Sequence, residues 1–299
     1  MARQCIRFGP RIHGARDFRV RYPTHVQPRP PNQAFQDLAR RLRAGEEPFL
    51  DQVALILDAD LNPEIDEAVG FTQLDGLAER ADQRLASLHD PGGRVLTLVD
   101  FLYREEGFKG NCTRYDDPRN SYMHQVLERR TGIPITLSIV VIEVARRLGI
   151  PIHGVSFPQH FLARATGNVD LIIDAFAGRT LSDEECGERL QRVAPALDFD
   201  RRSLRPATAR EVLVRMLGNL KHLFVASGDY ARAAECCERM LLSAPELVGE
   251  IRDRGILHEQ LELYGAALGD YDRFLELASG DPSAEKIRDR RDTLRRRVH

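Results

Sequence analysis

The sequence predicts an α+β protein: a small antiparallel sheet packed on one central buried helix, continued by an all-helical region. Three observations carry this. Residues 135–148 include Ile135, Leu137, Ile139, Val140, Val141, Ile142, Val144 and Ala145. A helix apolar on nearly every side belongs at the centre of a domain. Short apolar pieces at 152–156, 160–165 and 170–174, separated by Pro158 and by Gly167-Asn168, have the length and punctuation of strands. From about residue 207 the text is helical again and repeats itself. Tyr230, Ala233 and Met240-Leu241 return 34 residues on as Tyr264, Ala267 and Phe274-Leu275, and Leu223 returns as Leu257.

Each element has a local reason. Residues 1–34 hold five prolines and seven arginines against Asp17 alone, with no apolar period, and read as a disordered basic leader. Helices are expected at 35–44, 48–58, 71–87 and 93–106; in the second, Phe49, Val53, Ile56 and Leu57 recur at helical spacing. Asp117-Pro118-Arg119-Asn120-Ser121 is a turn, followed by a helix with Met123, Val126 and Leu127 on its apolar side. Gly132-Ile133-Pro134 interrupts the chain, Pro134 suits the first turn of the central helix, and Gly149-Ile150-Pro151 ends it. Ser182, with Glu185 three residues on, announces a helix near 182–194. The expected division is a leader over 1–34, an α+β domain over 35–205 and a helical region over 206–299.

Composition narrows the function. Of 299 residues, 42% are hydrophobic and 29% charged, the balance of a folded soluble chain. No apolar run approaches the length of a membrane span. Five cysteines, odd in number and without CxxC spacing, argue against a disulfide scaffold or a zinc site and leave the cytoplasm as the expected compartment. Positive charge gathers at the two ends and leaves the body acidic, so nucleic acid is an unexpected partner. Asp58-Ala-Asp60-Leu-Asn62 starts like a calcium loop but has Pro63 where the turn needs Gly. His258-Glu259 starts a zinc-protease motif but meets Glu262 where the second His belongs. No cofactor or metal is expected.

His160 and Asp174 are the polar residues to single out. His160 opens one strand and Asp174 ends the next, so antiparallel pairing would join them. A carboxylate on one imidazole nitrogen fixes the tautomer and leaves the other nitrogen as a base; a purely structural pair has the same spacing.

The 34-residue period, with small residues where helices cross, resembles the tetratricopeptide repeat. Such a pair should dock on the preceding domain, because stacked units share one core. Phe108-Lys-Gly110-Asn111, Asp117 to Tyr122, Arg130 to Ser138, Pro158-Gln159-His160-Phe161 and Ile173-Asp174-Ala175-Phe176 together resemble the bacterial SirB-type family, transglutaminase-like proteins with C-terminal tetratricopeptide repeats. Gln159 departs from that pattern, which usually has Gly before the His.

The resemblance implies a papain-like site: a Cys at the head of the central helix, a His on a following strand and an Asp on the next. His160 and Asp174 match the last two. The Cys position falls on Pro134, and no Cys lies between Cys112 and Cys186. Ser138 is the remaining candidate nucleophile near that position, and Cys112 could approach only from a loop. Asn120, Ser121, Thr136 and Gln159 are expected to line a polar pocket, with Glu143 beside them, either paired to Arg119 or Arg164 or standing at a solvent edge. The expected function is therefore a non-catalytic one: binding of a protein or peptide partner through the repeats. The alternative is a hydrolase or acyl-transferase of amide or ester bonds, using His160 and Asp174 with a non-cysteine nucleophile.

Overall fold

A computed structural model of the protein describes residues 27–298. The first 26 residues of the expected leader, with Cys5, lie outside that range.

Six helices build the first part of the chain: α1 (Gln33–Arg43), α2 (Leu50–Leu61), α3 (Glu67–Leu85), α4 (Pro91–Asp100), α5 (Met123–Arg129) and α6 (Pro134–Arg147). Their starts follow from capping. Asn32, Asp66 and Asp90 each accept a hydrogen bond from a main-chain N–H of the first turn, which satisfies donors the helix cannot. The fourth helix does not run straight to residue 106. It widens into a π-helical turn over Phe101–Glu105, which keeps Phe101 and Leu102 in the core and lets the Tyr103 hydroxyl donate to Ala175 O.

Two-residue strands β1 (Lys109–Gly110) and β2 (Thr131–Gly132) pair in parallel just before α6 begins. After α6 comes an antiparallel sheet in sequential order: β3 (Ile152–Phe157), β4 (His160–Ala165), β5 (Leu171–Asp174) and β6 (Arg179–Leu181). The fourth strand was not legible, since Arg179-Thr180-Leu181 is too short and polar to show an alternation. Both faces of the sheet are covered. Phe161, Ala163, Ala165 and Ile173 join the core around α6. Val155, Phe157, Leu162, Ile172 and Leu181 pack under α7 (Asp183–Val193), through Cys186 and Leu190.

The helical region comprises α8 (Ala209–Ser227), α9 (Tyr230–Ser243), α10 (Val248–Gln260), α11 (Tyr264–Leu277) and α12 (Ala284–Val298). The two hairpins stack as the 34-residue period requires, and they dock on the α+β domain. One continuous core runs from α1–α6 into Leu213, Leu217 and Phe224 of α8 and Ala233, Cys236, Cys237 and Met240 of α9. Helices α10–α12 add a smaller core of their own, around Tyr271, Phe274 and Ile287.

The end of the expected leader corrects the sequence reading. Residues 29–34 are part of the folded body. Arg29 N donates to Glu235 Oε1 (2.8 Å), Arg29 Nη2 to Leu61 O (2.8 Å) and Asn32 N to Asp60 Oδ1 (2.6 Å). The helix itself begins at Gln33, behind its Asn32 cap. The partners are remote in sequence, which is why the proline-rich text gave no sign of them. Among the described residues, no helix is long and apolar enough to cross a membrane.

Candidate functional site

The site starts from a two-residue turn. Pro158 and Gln159 join β3 to β4, and Gln159 takes the left-handed conformation at φ 53°. That is the second central position of a turn that favours glycine, so the departure at 159 has a steric cost and no chemical one. The turn delivers His160 as the first residue of β4, opposite Phe157, and β5 delivers Asp174 as its last residue.

The two side chains meet as expected. His160 Nε2 lies 3.0 Å from Asp174 Oδ1. The same oxygen accepts from Phe176 N (3.0 Å) and Ala177 N (3.2 Å), and Oδ2 accepts from Arg189 Nη2 at 2.5 Å. Burial pushes the Asp174 carboxyl up, but the hydrogen bond and charge of His160, the Arg189 charge and the main-chain donor bring it down to about 2. An ionised Asp174 can only accept, so Nε2 carries the proton of the bond that joins them. Sequence reasoning missed Arg189, which sits on α7 in a run of charged residues with nothing to separate it from a solvated face.

The ground beneath the pair is close-packed. Phe176 lies on Gly110, where an added Cβ would stand 2.6 Å from both its ring and its carbonyl oxygen. Gly110→Ala is therefore expected to push Phe176, and with it a donor to Asp174, off its place. A loss of about 1–3 kcal/mol in denaturant unfolding is the expected result.

The remaining expected site residues divide. Asn120, Ser121 and Thr136 cluster, but as buried scaffold and not as the wall of an open pocket. Asn120 Nδ2 donates to Arg114 O (2.7 Å) and Tyr115 O (3.1 Å), its Oδ1 accepts from Asn111 Nδ2 (3.0 Å), and its carbonyl accepts from Thr136 Oγ1 (2.8 Å). They fix the loop after β1 to the first turn of α6. Gln159 is exposed at the hairpin tip, away from that cluster.

Ser138 is wholly buried and its Oγ has no hydrogen-bond partner among the described residues, so no base is placed on the hydroxyl there. Glu143 pairs with neither Arg119, which holds Asp117, nor Arg164, which holds Asp170. It lies roughly 13 Å along the helix from Pro134. There it accepts from Leu50 N (2.9 Å), Arg146 Nε (2.7 Å) and Arg147 Nη1 (3.3 Å), pinning α2 to α6. Burial and the neighbouring Asp51 charge hold its carboxyl above the usual range, against the pull of Arg146. A cleft of about 380 Å³ opens beside it, lined in part by Phe49, Arg146 and His153, at the C-terminal end of α6.

The head of α6 holds Pro134 as its first residue, with neither N–H nor nucleophile. Cys186, Cys236 and Cys237 are buried, and burial pushes the Cys186 thiol to about 11 and the Cys236 thiol to about 12, which keeps both protonated. Cys112 is exposed on the loop that leaves β1. Among the described residues, no group of His, Cys, Asp and Glu is placed to hold a metal ion.

Residues 70–218 match the transglutaminase-like superfamily and residues 220–292 the tetratricopeptide repeat. Over 247 residues the chain is 37% identical to a UPF0162 protein of Xylella fastidiosa, covering 80% of this chain and 87% of that one. The chain belongs to the UPF0162 family. Protein SirB1 of Salmonella typhimurium is 27% identical over 227 residues, 75% of this chain and 84% of its own, so the SirB-type resemblance holds. A 142-residue stretch, 44% of this chain, is 40% identical to 22% of the mouse F-box only protein 21. In this UPF0162 chain the transglutaminase-like match ends inside α8, consistent with one core spanning domain and first repeat.

Proposed function

We propose that the chain is a cytoplasmic binding protein and not an enzyme: a transglutaminase-like domain without its nucleophile, joined to repeats that engage a protein or peptide partner. The observation that carries this reading is Pro134 at the first position of α6. Without a side-chain nucleophile there, a His–Asp pair has only water to activate, and no covalent intermediate forms. Tetratricopeptide repeats present extended surfaces for peptides and partner helices, which supports the same reading.

The competing reading, a hydrolase or acyl-transferase, draws on the 3.0 Å bond between His160 and Asp174. The two part company on turnover. Purified full-length protein, incubated with a panel of amide and ester substrates and with cysteine- and serine-reactive acyl probes, is expected to cleave nothing above the buffer rate. Intact-mass analysis should find no adduct at Ser138. A turnover that disappears in His160→Ala would overturn the proposal.

A further inference from the structure

The sheet end that carries His160 is also where the first repeat helix meets the α+β domain, and the side chain it brings there is Arg215. Arg215 Nη1 donates to Phe157 O at 3.3 Å, and Phe157 is the ladder partner of His160. The guanidinium thus sits at the tip of the hairpin that positions the imidazole, 5.7 Å from the centre of the Phe161 ring.

Tyr115, on the loop after β1, is near enough to Arg215 for the two to interact electrostatically. Burial pushes the Tyr115 hydroxyl up, the Arg215 charge partly offsets this, and exposed Asp116 acts on Tyr115 in the opposite sense. Tyr115 stands edge-on to Phe176, with ring centres 5.8 Å apart and planes at 66°, and Phe176 N donates to Asp174. Contacts therefore run from Arg215 through Phe157, His160, Asp174 and Phe176 to Tyr115, and the electrostatic interaction of Tyr115 with Arg215 closes the ring across the loop after β1, the sheet and the first repeat.

Several other partly buried arginines of this chain meet carboxylates: Arg189 meets Asp174, Arg164 Asp170, Arg147 Asp51 and Arg254 Asp270. Arg215 does not. Its one hydrogen bond among the described residues goes to a main-chain carbonyl, and burial lowers its pKa with only Tyr115 opposing. A guanidinium stays charged throughout the physiological range, so this is a partly desolvated cation beside the Phe161 ring with no carboxylate paired to it among the described residues. Asp174 is a weak opponent of an incoming anion, because Arg189 and two main-chain donors already hold its charge.

We propose that this ring is a carboxylate-binding site for a peptide, whose carboxylate lies on the Arg215 fork while a neighbouring apolar side chain rests against Tyr115 and Phe176. The carboxylate is either a chain's C-terminus or an acidic side chain; the chemistry is shared. The proposal deepens the binding reading above and rests on it.

Ligand-observed NMR titration of the full chain tests it with three probes: N-acetyl-phenylalanine, its neutral amide, and the α-amide of N-acetyl-glutamate. At least one acid is expected to bind about tenfold or more tightly than the neutral amide, as a charge-assisted fork requires. Preference for the first acid assigns a C-terminus, and preference for the second an acidic side chain. Arg215→Gln is expected to abolish the preference, and Arg215→Lys to keep part of it as a point charge without the fork.

Equal binding of acids and amide by the wild-type protein, which needs no variant to fold, overturns the proposal. So does a preference that survives in Arg215→Gln. Equal binding leaves the binding function itself standing, whereas hydrolysis of the amide in the same spectra would remove the reading on which the proposal rests.

Discussion

Arg239→Ala is expected to destabilise the protein by about 3–5 kcal/mol, the usual consequence of stranding one member of a buried ion pair. Both side chains of the Arg239–Asp60 pair are fully inaccessible. Arg239 Nε donates to Asp60 Oδ2, and Nη1 reaches Arg29 O (3.2 Å) and Glu235 O (3.1 Å). Asp60 also accepts from Asn32 N, so α9, α2 and the chain leading into α1 meet on one carboxylate.

Removing the guanidinium leaves that carboxylate in a dry interior with one main-chain donor. The double variant Asp60→Leu/Arg239→Met is expected to recover most of the loss, because two apolar side chains of similar size avoid the desolvation of both charges. Urea unfolding checks both. Since one core spans the domain and the first repeat, the transition should remain single. A cost below about 1 kcal/mol for Arg239→Ala would mean that water reaches the junction.

The second large effect concerns Asp174 and pH. Its folded pKa of about 2 lies below the ordinary 3.8, so its contribution to stability is fully present above the unfolded value. That contribution is lost as pH falls from about 5 toward 2, and its size is about 2 kcal/mol. Asp174→Asn should cost about 3 kcal/mol at pH 7, because it leaves Arg189 and His160 facing a neutral amide. The gap between wild type and variant should shrink as the pH falls. Glu185 and Glu211 also have pKa values of about 2 and titrate nearby, so the difference between the two proteins is the quantity to follow. A gap that stays constant from pH 7 to pH 2.5 would show that Asp174 is not held as a strongly stabilised carboxylate.

The parts of the fold that sequence disclosed are those with a local signature. Residues 135–148 announce a central helix because no face is polar, the repeats announce themselves by period, and His160 and Asp174 stand at strand ends where antiparallel pairing must join them. What stayed hidden depends on partners far along the chain. Arg189 looks like any surface arginine until α7 folds over the sheet. Glu143, on an apolar helix, takes its partners from one turn later in the same helix and from the start of α2, where no periodicity could point. Arg29 and Asn32 read as leader because their anchors, Glu235 and Asp60, lie on two other helices. Asn120 and Thr136 meet through the Thr136 hydroxyl, and their burial makes a foundation of what the sequence suggests is a pocket wall.

The submerged outer helix of the first repeat has a practical corollary for experiments on partners. In α9, Ala231 through Cys237 are buried without a break, and Arg239, Met240 and Ser243 continue the covered stretch. A fragment cut at residue 206 would keep the side of α9 that packs on α8 and α10 but bare the side that α1 and α2 cover, Arg239 included, and so acquire an adhesive side that the intact protein never displays. The repeats are thus a poor graft and a misleading bait: whatever sticks to the fragment meets a surface that in the native chain is already occupied by its own first two helices.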